Sequence, residues 1–215
     1  MIKLQGIVKR YGKNTVYNDL NFTFNQNQIT AVLGESGSGK TTLLNIIGGL
    51  TDFEGQISGD YLPTSFVFQK DRLVKNLSVE ENLKLICPEA DVERALELVN
   101  LKDYAKSYPK QLSAGMARRV SLLRAFLYQS KSLLMDEPFI NLDISLKYSL
   151  LNLLLKMQEK SPKTVVFVTH DIKEAIFIAD RIVVINKGQV IFDKLNQKEK
   201  TEKELFDLMM NLGDS

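Results

Sequence analysis

The run AVLGESGSGKTTLL, Ala31 to Leu44, is the stretch on which the fold turns. Within it Gly34, Glu35, Ser36, Gly37, Ser38, Gly39, Lys40 and Thr41 match G-x-x-x-x-G-K-[ST] at every position. Glycines at these spacings let the backbone wrap phosphate oxygens with its N–H groups turned inward. The helix expected to open around Thr41 and Thr42 adds the positive end of its dipole. In this motif the lysine, here Lys40, reaches the β- and γ-phosphates, and the hydroxyl, here Thr41, is a ligand for Mg²⁺. A plain glycine turn before a helix needs none of these matches. The context also agrees, with a strand pattern before the loop and apolar residues at helical spacing in TTLLNIIGGL after it, closed by Gly48 and Gly49. The expected ligand is a nucleoside triphosphate.

The other half of such a site is found in SLLMDEP. A short apolar run ending at Asp136 reads as a buried strand that delivers a carboxylate to the metal. The adjacent Glu137 is placed to polarise a water for attack on the γ-phosphate, a role typically worth about 10²–10⁴-fold in rate. Two acids before a proline can also be a solvated exit from a strand; the phosphate loop in the same chain weighs against that. Hydrolysis, rather than storage or sensing alone, is the expectation.

Around these two motifs, MIKLQGIVKRY and LNFTFNQNQITAVLG read as strands, as do GQISG, TSFVFQ and TVVFVTHD. From about Leu77 to Gln129 the periodicity is helical, and Ser78 with Glu81 forms a capping-box pattern. DIKEAIFIAD reads as an amphipathic helix, RIVVINKGQVIFD as a hairpin turning at Lys187-Gly188, and TEKELFDLMMNL as a closing helix. The expectation is one α/β domain over residues 1–215, with a helical insertion at about 72–130 and a helical tail at about 199–213.

Bulk properties narrow the class. At 215 residues, 44% hydrophobic and 25% charged, the chain has the composition of an ordinary globular domain. Twenty-eight basic against 26 acidic side chains leave +2, with no basic stripe, which argues against nucleic acid. Cys87 is the single cysteine, so no intrachain disulfide forms and a reducing compartment is expected. The first residues lack the charged-then-apolar pattern of a signal peptide, and no run approaches the roughly 18–20 apolar residues that span a bilayer; LLNLLLKM is interrupted on both sides.

The remaining motifs fall in an order that resembles the nucleotide-binding subunit of an ABC transporter over nearly the whole chain. That resemblance implies a P-loop NTPase (RecA-like) core with an N-terminal antiparallel β-subdomain and an inserted α-helical subdomain. It implies ATP and Mg²⁺ as ligands, and ATP hydrolysis coupled to transport. Tyr11 matches the aromatic residue that stacks on adenine, with Val16 beside it. Gln69 in FVFQ matches the glutamine that senses the metal and the membrane partner. LSAGM, Leu112 to Met116, stands where the family has LSGGQ. Asn141-Leu142-Asp143 matches the D-loop, and His170, the only histidine, matches the residue that touches the γ-phosphate. Each match alone is weak; their order and spacing carry the inference.

The resemblance also explains why a second glycine-bearing loop opens a helix far from the phosphate loop. In this family two subunits pack head to tail, and Ser113, Ala114 and Gly115 would lie over the triphosphate held by the other copy. The partners implied are a second copy or a paralogue bound on ATP, separate membrane permease subunits, and an extracytoplasmic binding protein; the subunit would sit at the inner face of the membrane. Lys70, Leu73 and Leu77 are candidates for the permease contact. Three positions depart from the usual pattern: Ala114 for glycine, Met116 for glutamine, and Ser132 at the start of the catalytic strand. VFQKDRLVKNLSVEENL, SAGMARRV, DEPFINLD and VTHDIKEAIFIADRIVVI look like the nitrate, sulfonate and taurine importer branch. NIIGGL resembles lipoprotein-release and peptide-efflux subunits, but those typically carry Thr where this chain has Phe139. A soluble, non-transport ABC ATPase is the remaining alternative; those that act on DNA carry long coiled-coil insertions, and those that act on ribosomes carry paired domains.

Overall fold

The structure, a computed structural model, describes residues 1–213. At its centre are β3 (Ile29–Leu33), β6 (Ser132–Asp136) and β7 (Thr164–Val168), buried along almost their whole length. Strands of this kind need cover on both faces, as parallel strands do. With β5 (Thr64–Val67), β8 (Arg181–Asn186) and β9 (Gln189–Leu195) they form a six-stranded sheet in the order β5-β6-β7-β3-β8-β9. The sheet is parallel except for β9, which returns on β8 through the expected turn; Lys187 and Gly188 there have φ of 46° and 76°.

Alternate residues of each central strand serve opposite cores. Val32, Leu134, Val166 and Val168 face α1 (Lys40–Ile47) and the antiparallel sheet of β1 (Ile2–Tyr11), β2 (Asn14–Phe24) and β4 (Glu54–Ser58), ordered β2-β1-β4. Ala31, Leu133, Met135 and Phe167 face the helical side. There lie α2 (Val79–Lys84), α3 (Val92–Leu98) and α4 (Ala114–Leu127), followed by α5 (Ile144–Lys160), α6 (Ile172–Ile178) and α7 (Glu199–Gly213). The capping box predicted for α2 is present: Glu81 N donates to Ser78 Oγ, and Ser78 N donates to Glu81 Oε2 at 2.6 Å.

The run LNFTFNQNQITAVLG, expected as strand, is divided between two sheets. Its first part ends β2 and its last part is β3, with a turn between them where Asn27 takes φ 56°. Asparagine tolerates this left-handed conformation better than most side chains. Helix α5 has no counterpart among the expected elements. Its buried residues Leu150, Leu151, Leu154 and Met157 make a helical stripe hidden inside a nearly continuous leucine run. Ser132, odd as the opening residue of a buried strand, is satisfied: its hydroxyl donates to the Tyr61 carbonyl at 2.8 Å, and its own carbonyl accepts from Ser65. Among the described residues no helix is long and apolar enough to cross a membrane. The loops leaving the carboxyl ends of β3, β5, β6 and β7 all emerge on one edge of the sheet, where open α/β sheets bind ligands.

Candidate functional site

The loop from β3 to α1 is shaped by three glycines. Gly34, at φ 153°, is pressed so closely to β8 that a Cβ there would lie 2.2 Å from the Ile185 carbonyl oxygen. Gly37, at φ 83°, faces open space. Gly39, at φ 106°, precedes α1, and no side chain caps this helix. The first N–H groups of α1 are thus left for an anion. Lys40 folds back under the loop, donating to the Gly34 and Glu35 carbonyls at 2.8 and 2.7 Å. Burial pushes its pKa down, opposed by the charges of Glu137, Asp136 and Glu35.

Tyr17 supports this loop from β2 and carried no motif that would have singled it out. Its buried hydroxyl donates to the Gly39 carbonyl at 2.9 Å, and burial raises its pKa. Tyr17→Phe is expected to cost about 0.5–1.5 kcal/mol, the net worth of one such bond, because the Gly39 carbonyl keeps its bond from Leu43 N. Denaturant unfolding measures this; a loss above about 3 kcal/mol would mean that the hydroxyl organises more than one bond.

In front of the loop is an open cleft of about 340 Å³. Tyr11 and Val16 form one wall, Ser36, Gly37, Gly39, Lys40, Thr41 and Thr42 the floor, and Glu137 the far side. Tyr11 is half exposed, and the Lys9 ammonium lies 4.6 Å from its ring centre. Thr41 Oγ1 donates to Asp136 Oδ1 at 3.0 Å, which joins the two motifs expected to share a metal. Burial, followed by the charge of Glu137, raises the Asp136 pKa against the Thr41 hydrogen bond. Glu137 itself has φ 43°, an unusual conformation for a residue with a side chain, and its N–H donates to the Val168 carbonyl at 3.0 Å. This turn at the end of β6 puts its carboxylate in the cleft, 3.4 Å from His170 Nδ1. The His170 ring is mostly exposed, with 61% of the side chain open to solvent. Ser38 is buried behind the loop, and the Glu35 side chain is exposed.

Five expected site residues are elsewhere. Gln69 is exposed beyond β5, outside the residues that line the cleft. Its carbonyl and that of Phe68 accept from the buried Arg118 at 2.5 and 2.8 Å, and Arg118 also pairs with Asp71 at 3.1 Å. The placement of Gln69 thus depends on Arg118 of α4, a side chain to which the sequence reading gave no role. Ser113 caps α4, accepting from Met116 N at 3.2 Å, and is exposed along with Ala114. Ala114 is the first residue of the helix with no positive φ, so alanine in place of glycine introduces no backbone strain. Gly115 is buried against α5, where a Cβ would lie 2.3 Å from Leu146 Cδ2. Asp143 caps α5, accepting from Leu146 N at 2.9 Å. Ser113 and Ala114 therefore present a helix start to solvent and not to the cleft of their own chain.

A larger groove, about 720 Å³, runs between the segment after β5 and the helical side, with Asp71, Leu73, Asn76, Tyr108 and Lys110 among its walls. Leu73 lines it; Lys70 and Leu77 do not.

A family profile described as "ABC transporter" matches residues 17–140. The chain is similar to the sulfate/thiosulfate import ATP-binding protein CysA of Bacillus cereus, 40% identical over 213 residues, with 88% of this chain and 60% of that protein covered. It is similar to the aliphatic sulfonates import ATP-binding protein SsuB of Bacillus cereus, 38% identical over 203 residues and covering 86% and 81%. The spermidine/putrescine import ATP-binding protein PotA of Haemophilus ducreyi is 34% identical, with 99% and 61% covered. The chain thus spans about 60% of the length of the sulfate/thiosulfate relatives. A solved ATP-binding cassette, a dimer in a post-hydrolysis state with ADP and Pi, superposes with TM-score 0.80 at 30% identity, covering 92% of this chain and 99% of that one.

Proposed function

The chain belongs to the ABC transporter family, and on that premise we propose that it is the ATP-binding and ATP-hydrolysing subunit of an importer. The observation that carries this reading is one cleft holding a phosphate loop, a Thr41–Asp136 pair and Glu137 beside His170.

Tyr11 offers its exposed ring to the adenine, with Val16 packing against the same base. The glycine-bent backbone of Gly34–Gly39 and the free N–H groups of α1 hold the phosphates, and Lys40 exchanges its two carbonyl partners for phosphate oxygens. The hydroxyl of Thr41 and the carboxylate of Asp136 are hard oxygen donors 3.0 Å apart, a set that fits Mg²⁺ carrying waters and phosphate oxygens. Thr41 and Asp136 would hold the ion there, and it would supply charge neutralisation at the β- and γ-phosphates; Gln69 lies outside the cleft in the free chain and would have to move to join them. Glu137 takes a proton from the attacking water, and His170 donates to the γ-phosphate. Ser113 and the backbone of Ala114 and Gly115 complete the site of a second copy, since the start of α4 at Ser113 and Ala114 is exposed and faces away from the cleft of its own chain.

Import is supported by relatives named for the uptake of sulfate, sulfonates and spermidine/putrescine. Those cargoes include both anions and a polycation, so the subunit drives transport without reading the cargo. Separate permease chains hold it at the inner face of the membrane, and a binding protein outside delivers the cargo. The groove containing Leu73 is the docking place proposed for the permease.

The test is the solution mass of Glu137→Gln with and without Mg-ATP, by light scattering. The expected result is a monomer without nucleotide, a dimer with it, and a monomer again when Ser113→Arg is added. Ala114→Gly changes the dimerisation midpoint by no more than about twofold, since this position is already helical. A Glu137→Gln protein that stays monomeric at saturating ATP would overturn the head-to-tail account of the isolated subunit.

A further inference from the structure

The residues flanking His170 converge on one cation from another element. Lys147, in the first turn of α5, lies 2.8 Å from Asp171 Oδ2 and 2.7 Å from Glu174 Oε1. Glu174 is almost fully buried, and its second oxygen accepts from the Thr169 hydroxyl at 2.6 Å. That hydroxyl accepts from Asp171 N at 3.1 Å, and Asp171 Oδ1 accepts from Lys173 N at 2.9 Å. Thr169 and Asp171 are therefore both held in a network that bypasses the imidazole between them. Among the described residues, no other cation pairs with Asp171 or Glu174. A buried carboxylate is costly unless paired, so Glu174 depends on Lys147 for its charge and on Thr169 for its remaining lone pairs.

The ring of His170 has no comparable restraint. It is mostly exposed, its contact with Glu137 is long at 3.4 Å, and a cavity of about 150 Å³ beside it leaves room to move. Its position is set by its backbone, and its backbone by the network. We propose that Lys147 is the positioning residue for His170, holding the Thr169–Asp171 segment against α5 so that the imidazole stays beside Glu137. The inference rests on the reading of Glu137 and His170 as the pair that acts on the γ-phosphate.

His170 is the only histidine, so its ring-proton NMR signals need no assignment by mutation. Lys147→Met keeps the stem and removes the charge, and Lys147→Arg restores it. In Lys147→Met the His170 signals are expected to shift and broaden, while in Lys147→Arg they return towards the wild-type position. Misplacing a reacting group by 1 Å costs on the order of 10²-fold, so kcat for ATP hydrolysis falls about 10–100-fold in Lys147→Met with KM for ATP little changed, and recovers in Lys147→Arg. If Lys147→Met does not fold, Glu174→Gln, which keeps its shape and can still bond Thr169, is read the same way. Unchanged His170 signals in a folded Lys147→Met protein, with only a lower unfolding temperature, overturn the proposal. Signals that move while neither Lys147→Met nor His170→Ala alters hydrolysis leave the positioning intact and overturn the role given to His170.

Discussion

Glu137→Gln is expected to lower steady-state ATP hydrolysis by about 10²–10⁴-fold, the usual worth of a positioned base. The substitution keeps the shape and removes the basic oxygen, so the effect should fall on turnover and leave binding intact. Stability should hardly change. The backbone bonds of Glu137 to Val168 and Ile140 are kept, and among the described residues its side chain makes only the long contact with His170, so the change in stability is expected to stay within about 0.5 kcal/mol. Removing the carboxylate also takes away the largest of the charges that support the protonated form of Lys40, a change in the direction of weaker phosphate binding. Asp136 and Glu35 continue to support it, so the expected change in ATP affinity is no more than about threefold. Phosphate release, ATP titration and thermal unfolding measured on the same preparation separate these effects. Turnover within about threefold of wild type would remove Glu137 from the chemistry.

Lys40→Ala acts on the opposite side of the cleft, with binding as the larger effect. Charge-assisted hydrogen bonds are worth about 1.5–3 kcal/mol each, and two to phosphate oxygens would correspond to roughly 10²–10⁴-fold in Kd. The lower end is expected here. In the free protein the ammonium already donates to the Gly34 and Glu35 carbonyls, so nucleotide binding exchanges partners without creating both bonds afresh. Those carbonyls lose their partner in the variant, which costs about 1–3 kcal/mol of stability before any nucleotide is added. Lys40→Arg is not expected to rescue, because a planar fork cannot take the place of a compact ammonium between two carbonyls at 2.8 and 2.7 Å. Calorimetric titration with ATP measures the affinity; a Kd within about threefold of wild type would show that backbone N–H groups hold the phosphates without Lys40.

The site was legible wherever a local rule governs the backbone. The phosphate loop declares itself because only glycine accepts the φ values at Gly34 and Gly39, and because strand and helix follow within the same few residues. Strand β6 was legible for a similar reason, since an apolar run can end in Asp136-Glu137 only where buried sheet meets solvent. The pocket then gathers Tyr11, Val16, Lys40, Thr41 and Glu137 from separate segments, as the order of motifs implied. The leucine run of α5 was not legible, because consecutive apolar residues hide the helical period that four of them obey.

What the sequence determined by itself is therefore which residue types line the cleft and their order along the chain. Both rest on local conformational demands that glycine, proline and charge patterns record residue by residue. What only the tertiary structure decided is how that chemistry is held. Tyr17 supports Gly39 across 22 residues, Arg118 grips the carbonyl of Gln69 across 49, and Lys147 reaches Asp171 across 24. A lone tyrosine, arginine or lysine on an element carries no periodic signal. Its partner is chosen by the packing of α4 and α5 against the sheet, and the cost of leaving a buried carbonyl or carboxylate unpaired exists only after that packing has formed.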